Sequence, residues 1–320
     1  MRIGLDVVGG DLAPTAAFDG AVAACAARPD IELILYGPEA EVEPLLAALS
    51  GQPPANLGLV HCPDIIAMDA HPAQAMRLQP HSSISVGLQH LKAGKLDAFI
   101  SAGNTGALTV GSVYLLELYP GIHRPCIAGF YPTNDGYSLL LDCGANTDVK
   151  PDYLLEFAYL GSAYMREVYH IARPRVALIS VGHEPSKGNQ IVKQAHALLA
   201  QHTDTLNFIG NVEGWDLNRN TADVYVCDGF TGNVITKLLE SFYPYLKQYA
   251  PDNQQLEKIN FEYIGGLPLL GVRGNVLIGH GSSTALAFEN MVYRAAELSS
   301  SELLTRMPSL LEGLASRATS

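Results

Sequence analysis

The chain has 320 residues, 48% hydrophobic and only 16% charged, enough apolar material for a large core. Its formal net charge of −12 excludes a general nucleic-acid binder, which needs a basic footprint, and leaves an anionic ligand to local N–H groups and a few chosen cations. No apolar run reaches the ~20 residues of a membrane span, and five scattered cysteines without a CxxC pair fit a reduced cytoplasm.

The N-terminus runs straight into a strand over 3–8, so no signal peptide is expected. Asp6 lies inside that strand, where an acid is out of place unless it faces a site or caps a turn. Gly9-Gly10-Asp11 follows. Helices over 14–26, 40–49 and 84–93 alternate with strands over 32–36 and 58–61. The strand over 98–101 then opens into Ser101-Ala102-Gly103-Asn104-Thr105-Gly106-Ala107, ahead of a helix over 107–117. Glycines let a ligand approach the backbone closely. The unsatisfied N–H groups and positive dipole end of the following helix complete an anion cradle. The plainer reading is a tight turn with Asn104 or Thr105 as N-cap.

Further along, segments 126–130 and 137–142 read as an antiparallel hairpin around the turn Pro132-Thr133-Asn134-Asp135-Gly136. Leu141-Asp142-Cys143-Gly144-Ala145-Asn146 ends the second arm. A helix over 153–168 and a strand over 175–180 come next. Lys187-Gly188-Asn189 then opens a helix over 187–201; a lysine at that dipole end is favourable only beside an anion. The strand over 207–210 leads to Asn211-Val212-Glu213-Gly214, where amide and acid can orient a ligand or merely bond locally. The strand over 224–227 ends in Asp228 and a second glycine turn, Gly229-Phe230-Thr231-Gly232-Asn233, before a helix over 234–248. A third such turn, His280-Gly281-Ser282-Ser283, joins the strand over 275–279 to a helix over 284–297.

Residues 241–265 carry Tyr243, Tyr245, Tyr249 and Tyr263 and read as a projecting arm or an interface. The expected architecture is one α/β domain over 1–298, a three-layer α/β/α sandwich on a mostly parallel sheet, followed by a weak, frayed helical tail over 299–320. The three glycine turns, each at a strand's C-terminal end, could then converge on one crevice.

Several chemistries lack their motif. There is no GxxxxGK[ST], no GxGxxG after the first strand, no HExxH and no GxSxG. A site of N–H groups, amides, hydroxyls and one lysine suits phosphate, with neither metal nor cofactor expected.

The chain resembles the acyl-[acyl-carrier-protein]:phosphate acyltransferases of bacterial phospholipid synthesis from Met1 to about Arg294. The resemblance is carried by Gly9-Gly10-Asp11 with Ala13-Pro14, Ser82-Ser83, the 101–107 turn, the 141–146 segment, Lys150-Pro151 and Lys187-Gly188-Asn189. It continues through Phe208-Ile209-Gly210-Asn211-Val212-Glu213-Gly214, the segment 226–234, Leu270-Gly271-Val272 and His280-Gly281-Ser282-Ser283. It implies a fold related to phosphotransacetylases and isocitrate/isopropylmalate dehydrogenases, and a homodimer. The implied reaction transfers a long-chain acyl group from the carrier-protein thioester to inorganic phosphate, giving acyl phosphate for a membrane glycerol-3-phosphate acyltransferase. A cytoplasmic enzyme follows, with peripheral contact at the inner membrane face as some members show. Departures are Val8 in place of a methionine, Glu184-Pro185-Ser186 in place of a stronger acidic cluster, Trp215 in place of an arginine, and Pro80-His81 in place of a basic pair.

On that reading Ser101, Asn104, Thr105 and Gly106 form the phosphate cradle, Lys187 and Asn189 neutralise or orient phosphate, and Asp6 and Asn211 line the site. Asn233, or the N–H groups of Thr231 and Gly232, face the oxyanion. Asp228 and His280 handle protons. Two rival readings are an acyl-CoA-dependent phosphotransacetylase and a non-catalytic scaffold of lipid synthesis. Intact Asn104, Lys187 and Asn233 speak against the scaffold.

Overall fold

The structure, a computed structural model, describes residues 1–133 and 136–315. In chain order the strands are β1 (Arg2–Asp6), β2 (Glu32–Gly37), β3 (Leu57–His61), β4 (Ala98–Ser101), β5 (Cys126–Ile127), β6 (Gly129–Pro132), β7 (Tyr137–Leu141), β8 (Arg175–Ile179), β9 (Asn207–Val212), β10 (Val224–Val226), β11 (Leu267–Leu270) and β12 (Asn275–Ile278). The α-helices are α1 (Thr15–Ala27), α2 (Glu39–Ala47), α3 (Pro72–Leu78), α4 (Ser83–Lys92), α5 (Thr105–Leu116), α6 (Pro151–Glu167), α7 (Gln190–Leu199), α8 (Gly229–Lys247), α9 (Phe261–Ile264), α10 (Ala285–Ser300), α11 (Leu303–Leu310) and α12 (Glu312–Ala315). This is an α/β protein with mostly parallel sheets. The predicted strands are all present, whereas α3 and β11 were not foreseen from the sequence.

The chain groups into two compact units. Unit 1 comprises Met1–Glu117 and Asn260–Ser300; unit 2 comprises Leu118–Ile259 and Ser301–Ser320. In unit 1 the strands follow the order β3-β2-β1-β4-β12-β11. β1, β2, β3, β4 and β12 run parallel, and β11 pairs antiparallel with β12. The central strands are buried runs such as Ile3, Leu5, Phe99, Ile100, Val276 and Leu277, as expected of a sheet covered on both faces. Gly20 marks where α1 crosses α10: a Cβ there would lie 2.5 Å from the Ala285 carbonyl oxygen. Gly87 of α4 similarly lies against the Phe99 ring.

Unit 2 holds the order β6-β7-β10-β8-β9, with β7, β10, β8 and β9 parallel and β6 antiparallel to β7. The expected hairpin is therefore present as β6 and β7, and its tip residues Asn134 and Asp135 lie outside the described residues. In α6, Gly161 packs on Leu141 and Val224. The segment expected to fray is ordered as α11 and α12 through residue 315, and 316–320 lie outside the described residues. Leu303, Met307 and Leu311, four residues apart, are all buried, a helical stripe that packs α11 on α6.

Several helices begin at points other than those predicted: α5 and α6 start two residues early, at Thr105 and Pro151, and α7 and α8 differ more. α8 starts at Gly229, so Phe230, Thr231, Gly232 and Asn233 form its first turns rather than a preceding loop. Asp228 is the cause. As N-cap, its carboxylate accepts both the Thr231 N–H at 2.8 Å and the Thr231 hydroxyl at 2.9 Å. α7 starts at Gln190 with Asn189 as N-cap, which leaves Lys187 just before the helix.

Candidate functional site

In unit 1 the turns after β1, β4 and β12 pack on one another. Parallel pairing of β4 with β1 and β12 brings their C-terminal ends side by side. A Cβ on Gly9 would lie 2.6 Å from the Gly103 nitrogen and 2.7 Å from the Asp6 carboxylate; only glycine admits this approach. Asp11 N–H donates to the Gly281 carbonyl at 2.7 Å.

Asp6 is the brace of this arrangement. It is buried, accepts the Ser101 hydroxyl at 2.6 Å and the Val8 N–H at 3.3 Å, and Ser101 Oγ in turn accepts the Gly103 N–H at 3.1 Å. Burial pushes the Asp6 carboxyl above the usual carboxylate range, against hydrogen bonds from Ser101, Ser83 and the Val8 and Gly9 amides. Ser83, at the start of α4, was missed from sequence because the two residues meet only in the fold.

Asn104 is fully engaged by protein. Its Oδ1 accepts the Ala107 N–H at 2.9 Å and caps α5. Its Nδ2 donates to the carbonyls of Ala67, Met68 and Ala70 at 3.1, 3.0 and 2.9 Å. The side chain clamps the 67–70 loop beside the turn. Thr105 and Gly106, by contrast, occupy the first positions of α5, where backbone N–H groups have no intrahelical acceptor. His280 accepts the Ser282 N–H at Nδ1, 3.2 Å, and meets the Ser282 hydroxyl there at 2.7 Å. Its neutral form accordingly carries the proton on Nε2. The ring lies 4.9 Å from that of Phe261.

Unit 2 contains a cleft of about 660 Å³ at the C-terminal ends of β8 and β10. Its polar edge is Thr147, Asp148, Ser180, Gly188, Asn189, Asp228 and Thr231; Val149, Leu154, Leu178, Ile179, Ile191 and Phe230 are among its apolar walls. Lys187 stands on the turn beside it, exposed, with no ion-pair partner for its ammonium group among the described residues. Gly188 takes φ +97°, the left-handed region. Asn189 Oδ1 accepts the Val192 N–H at 2.9 Å. The Ser180 hydroxyl is buried without a hydrogen-bond partner. Asn211 does not open onto solvent: it is buried, its Oδ1 bonds His196 Nδ1 at 2.9 Å and its Nδ2 donates to the Glu184 carbonyl at 2.9 Å. It ties the Lys187 loop to β9.

A second tie escaped the sequence reading. His183 Nε2 lies 2.7 Å from Asp216 Oδ2, which also accepts the Glu213 N–H at 2.9 Å. Burial would raise the Asp216 carboxyl, but the Glu213 N–H, His183 and Arg219 outweigh it and hold it below its ordinary value. The capping-box spacing from Glu213 to Asp216 was the available signal. Trp215 has the Arg219 guanidinium 4.0 Å from its ring centroid. A cation four residues downstream thus stands over this ring.

Around α8, Asp142 is fully buried and accepts the Ile127, Ala145 and Asn146 N–H groups at 2.9, 3.2 and 2.7 Å, plus Asn146 Nδ2 at 2.9 Å. The Gly229 N–H donates to the Asn146 carbonyl at 2.7 Å, and Gly232 lies against the Asp142 carbonyl oxygen. The Thr231 and Gly232 N–H groups, candidates for an oxyanion, both donate to Asp228. Asn233 is exposed, and its amide covers Gly144. The sequence-predicted residues therefore fall into a unit 1 group (Asp6, Ser101, Asn104, Thr105, Gly106, His280) and a unit 2 group (Lys187, Asn189, Asn211, Asp228, Thr231, Gly232, Asn233). Among the described residues no group of three or more His, Cys, Asp or Glu side chains could hold a metal ion.

The chain is an α/β protein whose fold is shared with phosphotransacetylases. It superposes on a phosphotransacetylase from Streptococcus pyogenes with TM-score 0.66 at 18% identity, covering 93% of this chain and 94% of that one. The EutD phosphotransacetylase from Staphylococcus aureus gives 0.62 at 17%, again over 93% and 94%. Sequence narrows the class. The profile of the family described as "Fatty acid synthesis protein" matches residues 1–306. Phosphate acyltransferases from Salinibacter ruber and Halothermothrix orenii are 43% and 40% identical, covering 92% and 93% of this chain and 93% and 94% of the relatives. The chain belongs to this phosphate acyltransferase family.

Proposed function

We propose that this enzyme transfers a long-chain fatty acyl group from an acyl-carrier-protein thioester to inorganic phosphate, releasing acyl phosphate for phospholipid synthesis. Family membership supports the reaction. The observation that carries the site is Lys187, without an ion-pair partner among the described residues, on a left-handed glycine turn beside an apolar-walled cleft and the N-terminus of α7.

The chemistry needs no enzyme-bound intermediate. A phosphate oxygen attacks the thioester carbonyl carbon, the C–O bond forms, the oxyanion collapses, and the C–S electron pair leaves as thiolate. The cysteines are unsuited to act as nucleophiles: all five are buried, and burial pushes the thiols up, Cys25 to about 11 and Cys62 and Cys143 to about 12. Catalysis then rests on placement, worth up to ~7–11 kcal/mol, and on stabilising the oxyanion. In unit 2, Lys187 neutralises phosphate charge, while the Asn189 and Asn233 amides donate to anionic oxygens. Asn211, Asp228 and Thr231 with Gly232 fix the turns that present them. In unit 1, the Thr105 and Gly106 N–H groups offer an anion site, held by Ser101, Asp6 and Asn104. His280, placed by its Nδ1 contacts with Ser282, handles the proton there.

The reading includes a cytoplasmic homodimer formed by a single functional domain, with peripheral contact at the inner membrane face. No helix among the described residues is long and apolar enough to cross a membrane. The decisive experiment is acyl-phosphate formation from palmitoyl-acyl carrier protein with and without inorganic phosphate, in EDTA. Strict phosphate dependence without metal is expected. No transfer would sink the reading, and faster turnover of palmitoyl-CoA would move the chain to the phosphotransacetylase alternative.

A further inference from the structure

We propose that an apolar groove of unit 1, walled by α3, α4 and α5, receives the hydrocarbon tail of the acyl group. This rests on the acyl-transfer reading and adds to it a place for the chain. The groove has a volume of about 460 Å³ and is lined by Ala73, Met76, Pro80, Val110, Tyr114 and Leu115, with Arg77 and Gln89 at its sides. That size falls within the range of small-molecule sites. Its one further polar side chain, Ser85, donates its hydroxyl to the Gln79 carbonyl at 3.0 Å and to Met76 Sδ at 3.8 Å. Apart from Arg77 and Gln89 at its sides, its walls thus offer little to a polar ligand.

The position of the groove favours an amphiphile with an anionic head. α5 begins at the 101–107 turn, and α3 lies along it from the first residues. A Cβ on Gly106 would sit 2.5 Å from Pro72 Cγ, and one on Gly111 2.6 Å from Met76 Cε. The N-terminus of α5 suits the phosphoryl or carbonyl head. From there Val110 and Tyr114 lie roughly 7 and 13 Å along the helix axis at 1.5 Å per residue, a distance a fatty acyl chain spans. The surroundings are apolar as well. Ile65, Met68, Leu78 and Val110 are exposed, and Tyr114 is 80% exposed. Large apolar side chains gathered at a surface mark a binding site rather than a solvated face. Asn104 holds Met68 in this place by its bond to the Met68 carbonyl.

Palmitoyl-acyl carrier protein with a diazirine at the chain terminus would be photolysed with the full chain and the labelled peptides mapped. Label within 72–80 or 105–116 is expected, and label only elsewhere overturns the proposal. The readout does not need turnover. A chain labelled there but inactive with phosphate would sink the acyl-transfer reading and leave the groove standing. In steady state, Val110→Trp should lower kcat/KM for palmitoyl relative to hexanoyl substrate by about tenfold or more, the scale of discrimination in apolar pockets. Equal losses for both chain lengths would count against it. A photocrosslinker at Tyr114 that captures a second copy of this chain, in the presence of the lipid substrate, would make the groove an interface and defeat the proposal.

Discussion

The Asn104 amide makes four hydrogen bonds, one to the start of α5 and three to the 67–70 loop. Replacing it with alanine removes a cap and all three donors; about 3 kcal/mol of stability should be lost, from ~1 for the cap and ~0.5–1.5 for each bond. Asn104→Asp is the sharper test. It keeps the bond to Ala107 but turns a donor toward three carbonyls into an acceptor, so urea unfolding should find it about as destabilised as the alanine variant. Lys187 is the opposite case. Exposed, and without an ion-pair partner among the described residues, it contributes little to folding. Lys187→Ala should leave the thermal midpoint in place and raise the phosphate KM about tenfold, since a hydrogen bond to a charged group is worth ~1.5–3 kcal/mol. An unchanged phosphate KM would remove Lys187 from the site. The difference between these residues was not legible in sequence. Both stand in polar, glycine-bearing turns, and only the fold brings a loop 34 to 37 residues away onto one of them.

At the scale of elements, strands read well as apolar runs, though their ends shift: β1 stops at Asp6, and β9 continues through Gly210 to Val212. Helix starts read less well. The 229–233 segment looks like a turn, yet Asp228 caps it into α8. The Lys187 loop shows the same limit: its anchors, Asn211 and Asp216, come from β9 and the turn after it. The His183–Asp216 contact has a pH consequence. The folded-state pKa of Asp216 is depressed, so its contribution is present above the ordinary value of 3.8 and lost as pH falls below it. Thermal midpoints taken from about pH 5 to about pH 3 should fall less steeply for Asp216→Asn than for the unaltered chain. Parallel profiles would show that the contact carries no linked stability.

For the whole molecule, the expected homodimer can be located more closely. Tyr243, a member of the tyrosine-rich segment, is tied within its own unit to Glu257 at 2.8 Å. Tyr245 and Tyr249 are 54% and 73% exposed, with their rings 5.3 Å apart. Aromatic residues of this kind are enriched at interface cores. Light scattering should give a dimer, and a Tyr245→Glu/Tyr249→Glu variant should dissociate at concentrations where the unaltered chain does not. A dimer unmoved by both changes places the contact elsewhere. The grouping into two units was not legible, because Asn260–Ser300 returns to strands laid down before residue 117. A contact across such a separation leaves no local trace in composition or periodicity.

The Asn104 clamp also sets how the molecule breathes. Segments that open together exchange their amide hydrogens with one shared free energy. Three carbonyls of the 67–70 loop and the Ala107 N–H depend on a single side chain. Neither the loop nor the first turn of α5 can loosen while the other keeps all its bonds. Native-state hydrogen exchange should therefore find the amides of residues 68–71 and 107–108 in one cooperative unit. Anything that holds the start of α5 would slow exchange in a loop it never touches.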